Sequence, residues 1–215
     1  MAWITAKELM ERQQADPVYQ AAMAERRRKD EEEAAEERRI LAPLIQDVQK
    51  AGFPEVESVT DMLRTDFDQT PLLPLLLDHL KRDYPFRPKW GITLLFGTKK
   101  ALFAWNDLVE LFKERIPEGL DGLHLYKTGL AAALAEMADK KHAPELVGLV
   151  EDKGNGPFRV MFLPEIMRYV PDAPQLLEKW LDDPELAPEA EYRLKLYRKR
   201  MAKKAKKEAE AKKGR

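Results

Sequence analysis

Phe158-Arg-Val-Met-Phe-Leu-Pro-Glu-Ile-Met-Arg-Tyr-Val-Pro-Asp-Ala-Pro-Gln-Leu-Leu-Glu-Lys-Trp-Leu-Asp-Asp183 reads as two short helices joined by a proline-marked turn. The aromatic–base pair Phe158-Arg159 leads into an apolar run over Val160–Ile166, and Asp172-Ala-Pro174 gives the start signal of the next helix. Both parts recur. Pro74–Leu80, Asn106–Phe112, Pro144–Val150 and Pro174–Trp180 superimpose as apolar helix segments, with starts 32, 38 and 30 residues apart. The pairs Phe86-Arg87, Tyr126-Lys127, Phe158-Arg159 and Tyr192-Arg193 fall between them at steps of 40, 32 and 34. Each pair precedes another apolar run: Ile92–Phe96, Leu130–Met137, Val160–Ile166 and Leu194–Tyr197. A two-helix unit of this size cannot bury its apolar faces alone, so neighbouring units must stack.

The whole chain is compatible with such an array. Its 215 residues can bury a substantial core, and 44% of them are apolar. The absence of cysteine excludes disulfide scaffolds, thiolate zinc sites, iron–sulfur ligation and cysteine nucleophiles. No apolar run approaches the roughly 20 residues that span a bilayer, and Met1–Glu8 has no signal-peptide pattern. The expectation is a cytoplasmic protein with no membrane association.

A net charge of −1 conceals three unlike regions. Residues 1–40 hold 8 basic and 10 acidic side chains, residues 41–190 hold 17 and 25, and residues 191–215 hold 12 and 3. An acidic body therefore carries a strongly basic tail.

Start signals divide the N-terminal part. Thr5 and Glu8 have capping-box spacing, and Asp16-Pro17 supplies an N-cap followed by a proline suited to the first turn. From Ala24 to Arg39 the only nonpolar residues are alanines, while opposite charges stand four apart at Glu25/Lys29, Arg26/Asp30, Arg27/Glu31, Arg28/Glu32 and Lys29/Glu33. This stretch reads as a solvated helical arm without the heptad seam of a coiled coil. Leu41, Leu44, Ile45 and Val48 form an apolar stripe ending at Gly52, with Pro43 marking a kink or restart. Ser58 and Asp61 cap a short helix over Val59–Leu63.

An apolar first helix, a turn, an aromatic-plus-base pair and an Ala/Leu-rich second helix together resemble the HEAT-like, armadillo-type helical-repeat family. The clearest unit is Phe158–Asp183, Leu125–Asp152 is close behind, and the resemblance covers roughly residues 71–200, with 40–70 as a degenerate cap. Pro88 and Trp90 depart from the small residues of the pattern, and Pro164 interrupts the third unit. The resemblance implies an all-α, right-handed α-solenoid of about four HEAT-like hairpins. Residues 1–39 form its charged N-terminal helical arm, 40–201 the repeat domain and 202–215 a basic C-terminal tail. It also implies a non-catalytic scaffold that binds a protein partner along the concave face of the second helices.

The recurring base has two readings. Structurally, it orders the stack by bonding to an acidic or carbonyl group in the adjoining unit. Functionally, Arg87, Lys89, Trp90, Lys127, Arg159 and Arg193 form a partner-binding stripe on one open face. Repetition in every unit favours the structural reading.

Catalytic chemistry has little to work with. Ser58, the only serine, is a helix cap, and His79, His124 and His142 lack metal-ligand spacing. His79 and Asp83 stand four apart and read as a polar pair at a helix end. Gly154-Asn-Gly156 lacks the ending of a phosphate-binding loop and reads as a turn. The reading is a non-enzyme with no cofactor and no metal. A helical-repeat DNA glycosylase would draw on Trp3, Trp90, Trp105, Trp180 and Asp107, but Trp105 and Asp107 point about 200° apart on a helix, and an acidic body repels duplex DNA. The tail, with Lys203, Lys204, Lys206 and Lys207, offers a further alternative: nonspecific, salt-sensitive electrostatic contact with nucleic acid.

Overall fold

A computed structural model describes residues 4–213, with side chains described as far as Lys207. Trp3, Gly214 and Arg215 lie outside the described residues. Among the described residues the fold is all-helical, with eleven α-helices and no strand.

The first two helices, α1 (Ala6–Ala15) and α2 (Pro17–Lys50), begin where the caps place them. Thr5 and Glu8 close a reciprocal capping box, and Asp16 accepts from the amides of Val18 and Tyr19. α1 buries none of its residues and rests on α2. Two of the expected arm pairs form, Arg28–Glu32 at 2.7 Å and Lys29–Glu25 at 3.6 Å.

Pro43 lies inside α2, which runs on through it, so the helix does not restart there. Leu41, Leu44 and Val48 are buried as α2 crosses α4 (Leu73–Leu80) and α5 (Phe86–Leu94), and that burial outweighs the hydrogen bond lost at the proline. Arm and body are therefore one helix across residues 39 and 40. Between α2 and α4, α3 (Val59–Met62) carries the capping box of Ser58 and Asp61.

Four hairpins follow: α4 with α5; α6 (Trp105–Lys113) with α7 (Leu123–Met137); α8 (Ala143–Glu151) with the 3-10 segment Lys153–Phe162 and α9 (Leu163–Tyr169); and α10 (Ala173–Lys179) with α11 (Ala187–Lys213). The second members form a row, α5 against α7, α7 against 153–162, and α9 against α11. Leu80, Phe112, Val150 and Trp180, which close the superimposed first-helix segments, are all buried. Pro164 does not interrupt a helix; it sits in the first turn of α9, where its missing N–H is not needed. The residues before it form the 3-10 segment rather than the expected α-helix.

Gly129 lets α5 and α7 approach closely, since a Cβ there would lie 1.9 Å from Thr93 Oγ1. At the N-cap of α7, Gly122 has φ 72°, and a Cβ would stand 2.4 Å from the Arg87 backbone nitrogen. α11 continues helically past Met201, so the basic tail extends the last helix without a break.

Candidate functional site

The inner units show what the recurring base does. Lys127, on the buried side of α7, sends its ammonium to the carbonyls of Leu111 at 3.0 Å, Phe112 at 2.6 Å and Glu114 at 2.8 Å. These oxygens belong to the end of α6, where helical carbonyls lack intrahelical donors. All three ammonium protons are thus used. Burial pushes the Lys127 pKa down to about 8, while Glu114 raises it and Arg115 lowers it further.

Arg159 does the same for α8. Its guanidinium donates to the Val150 carbonyl at 3.0 Å and the Gly156 carbonyl at 2.9 Å. It also forms a fork with Asp183, at 2.9 and 3.2 Å, and bonds to Glu185. Phe112 and Val150 occupy the same position in their segments, so equivalent bases cap equivalent carbonyls. Arg159 is 2% exposed and Lys127 7%, which removes both from any open stripe.

The end units differ. Arg87 is exposed and pairs with Glu33 of the arm at 2.9 Å, and Arg193 pairs along its own helix with Glu189 at 2.6 Å. Lys89 and Trp90 are half-buried on α5, with the Lys89 ammonium over the Tyr126 ring at 5.8 Å. Desolvation lowers the Lys89 pKa. The six residues expected to converge on one face do not. Two are buried caps, two form surface ion pairs, and two flank the α5–α7 contact.

The other residues read from the sequence also find partners. His79 is buried, but its partners are Tyr84 at 2.9 Å and Asp47 at 3.2 Å rather than Asp83. Burial, reinforced by Arg82, holds its imidazole below the ordinary value. Trp105 donates to Glu145 at 2.6 Å and packs on His142, while Asp107 pairs with Lys81 at 2.5 Å. Lys203, Lys204, Lys206 and Lys207 lie exposed on α11, away from the hairpins' packed faces. Among the described residues no three His, Asp or Glu side chains converge to hold a metal ion.

Next to the inner caps lies a cleft of about 670 Å³, between the loop that joins α6 to α7 and the turn after α8. Its apolar lining includes Leu120 and Leu125, both exposed, with Ile116 and Phe158. Glu118, Asp121 and His124 add polar groups, and the His124 ring lies 5.0 Å from that of Phe158. The far wall is held by a network. Arg115 bonds to Asp152 at 2.5 Å and to the side-chain oxygen of Asn155 at 2.8 Å, and the buried Asn155 amide donates to the Leu149 carbonyl at 2.9 Å. Gly154 lets the Arg115 guanidinium lie close against the turn, since a Cβ there would stand 2.6 Å from it.

The sequence reading missed this cleft. Its one signal was the placement of Leu120 beside Asp121-Gly122, in the loop just before α7, with Leu125 in the first turn of that helix. No family model, curated protein or solved structure matches the chain.

Proposed function

We propose that the four hairpins form a right-handed, HEAT-like solenoid that serves as a non-catalytic protein-binding scaffold, and that its partner engages the cleft between the second and third hairpins. One observation carries this reading. Leu120 and Leu125 remain exposed in a concave site, while Lys127 beside it and Arg159 beyond it are taken up by internal partners, helix-end carbonyls for Lys127 and carbonyls with two carboxylates for Arg159. Exposed apolar groups in a formed concavity mark interaction sites, and a rim of charge adds orientation. The fitting segment is extended, with one large apolar side chain for the cleft and a Lys or Arg beside it to face Glu118 and Asp121. Trp105 and Asp107 are occupied by packing and an ion pair, so they lend the glycosylase alternative no support.

Affinity capture tests the proposal, using full-length protein, a Leu120→Asp/Leu125→Asp variant and a truncation ending at Met201, each with and without nuclease. The expected partner is retained by the truncation and through nuclease, and is lost with the double variant. Capture that survives the double variant but disappears with nuclease or truncation moves the function to nucleic-acid contact through the tail.

A further inference from the structure

The two ends of the chain carry opposite charge on helices that leave the hairpins. Residues 30–37 of α2 hold six acidic side chains and no base, and residues 198–207 of α11 hold seven basic side chains and no acid. α2 packs on α1, α4 and α5, whereas α11 packs on α9, α10 and residues 180–182. Both charged stretches continue helices whose other parts are anchored, and on different elements of the array.

The acidic stretch also has a shape. As α2 leaves the hairpins it overhangs the start of α5, forming an open groove of about 430 Å³. Glu32, Glu33, Glu36, Glu37 and Asp121 line it, against a single base, Arg87. Arg28, Arg87 and Arg39 pair with Glu32, Glu33 and Glu36, so the groove is partly but not fully neutralised. Ile40, Pro85 and Pro88 give it an apolar floor. The basic helix that would fill it presents Leu196 and Met201, both 43% exposed, at the edge of its charged run.

We infer that this groove receives the basic C-terminal helix of a second copy of the chain, each copy placing its tail under the other's arm. A closed pair sets each basic helix against an acidic groove and makes the contact self-complementary, as a two-fold interface requires. Isolated surface pairs are weak, but an array of facing opposite charges at short range gives attraction that salt screens. Asp121 lines both the groove and the cleft, but the pairing is tested at Glu32, Glu36, Lys203 and Lys207, none of which lines the cleft, so it is read separately from the proposed partner site.

Charge reversal with complementation tests it, read by sedimentation equilibrium on the full chain. Wild type is expected to be dimeric at tens of micromolar in about 50 mM salt and to dissociate toward monomer near 0.5 M, where the screening length is only a few ångströms. Glu32→Lys/Glu36→Lys and Lys203→Glu/Lys207→Glu are each expected to be monomeric at low salt, with unchanged helical circular dichroism. An equimolar mixture of the two is expected to regain the dimer mass, because each reversed arm then meets a reversed tail. A monomeric wild type at low salt overturns the inference, and so does a mixture that stays monomeric. Leu120→Asp/Leu125→Asp is expected to keep the dimer mass while losing the partner of the cleft, which separates failure of one proposal from failure of the other.

Discussion

The inner and outer hairpins use the same sequence element for different ends. In the second and third hairpins the base after the aromatic turns inward, and Lys127 and Arg159 close the carbonyl ends of α6 and α8. In the first and fourth, Arg87 is exposed and Arg193 half-buried, and each pairs with a carboxylate. The difference follows from position. An inner unit is covered on both sides, so its helix ends lose access to water and need a protein donor. The first hairpin is covered too, by α2 on one side and α7 on the other, but Arg87 lies exposed at the start of α5 beside Glu33 of the arm and meets a carboxylate instead. A residue pattern thus marks the repeat, while burial decides whether the base becomes structural.

The largest expected effect is at Arg159. Arg159→Ala removes the donor to Val150 and strands the nearly buried Asp183, a change of the class that costs about 3–5 kcal/mol. Urea unfolding would measure it, and a loss below about 1 kcal/mol would mean that inner and outer bases are energetically alike.

Lys127→Ala comes next. It leaves three carbonyls at the end of α6 without their donor, with an expected cost of about 1–3 kcal/mol in the same assay. Lys127→Arg does not restore it fully, because a planar fork cannot repeat the three-way geometry of an ammonium.

Acid separates the regions more finely. The hydrogen bond from Arg159 holds Asp183 below its ordinary value of 3.8. Under acid the unfolded chain takes up this proton first, so the contribution is complete above 3.8 and is lost as the pH falls through 3.8 and then through the lower folded value. Denaturant midpoints across pH 3–6 should therefore fall less steeply toward acid in Asp183→Asn than in wild type. Parallel curves would show that the fork contributes no pH dependence.

How much of this was legible depended on whether a feature is local. The caps at Thr5, Asp16 and Ser58 were readable because side chain and amide lie within three residues. The helix pairs were readable from apolar spacing. The continuity of α2 through Pro43 was not, since it rests on burial against α4, some thirty residues away in the chain. The sequence also left the bases with two readings, because Arg159 and Arg87 follow the same kind of aromatic and differ only in what covers them. The cleft needed two loops nearly forty residues apart, and Asn155, read as part of a turn, became a buried strut only when Arg115 arrived beside it.

The smallest expected effect is the most exacting for the comparison. Arg87→Ala and Arg193→Ala each remove one solvent-accessible ion pair, a change expected to stay within about 0.5 kcal/mol in urea unfolding. For Arg87 even that should fade in high salt, because its partner Glu33 sits on the exposed arm and the pair is screened from both sides. A cost at Arg87 equal to that at Lys127 would mean that the first hairpin is capped as the inner ones are. The position of a unit in the stack would then no longer explain which bases are buried.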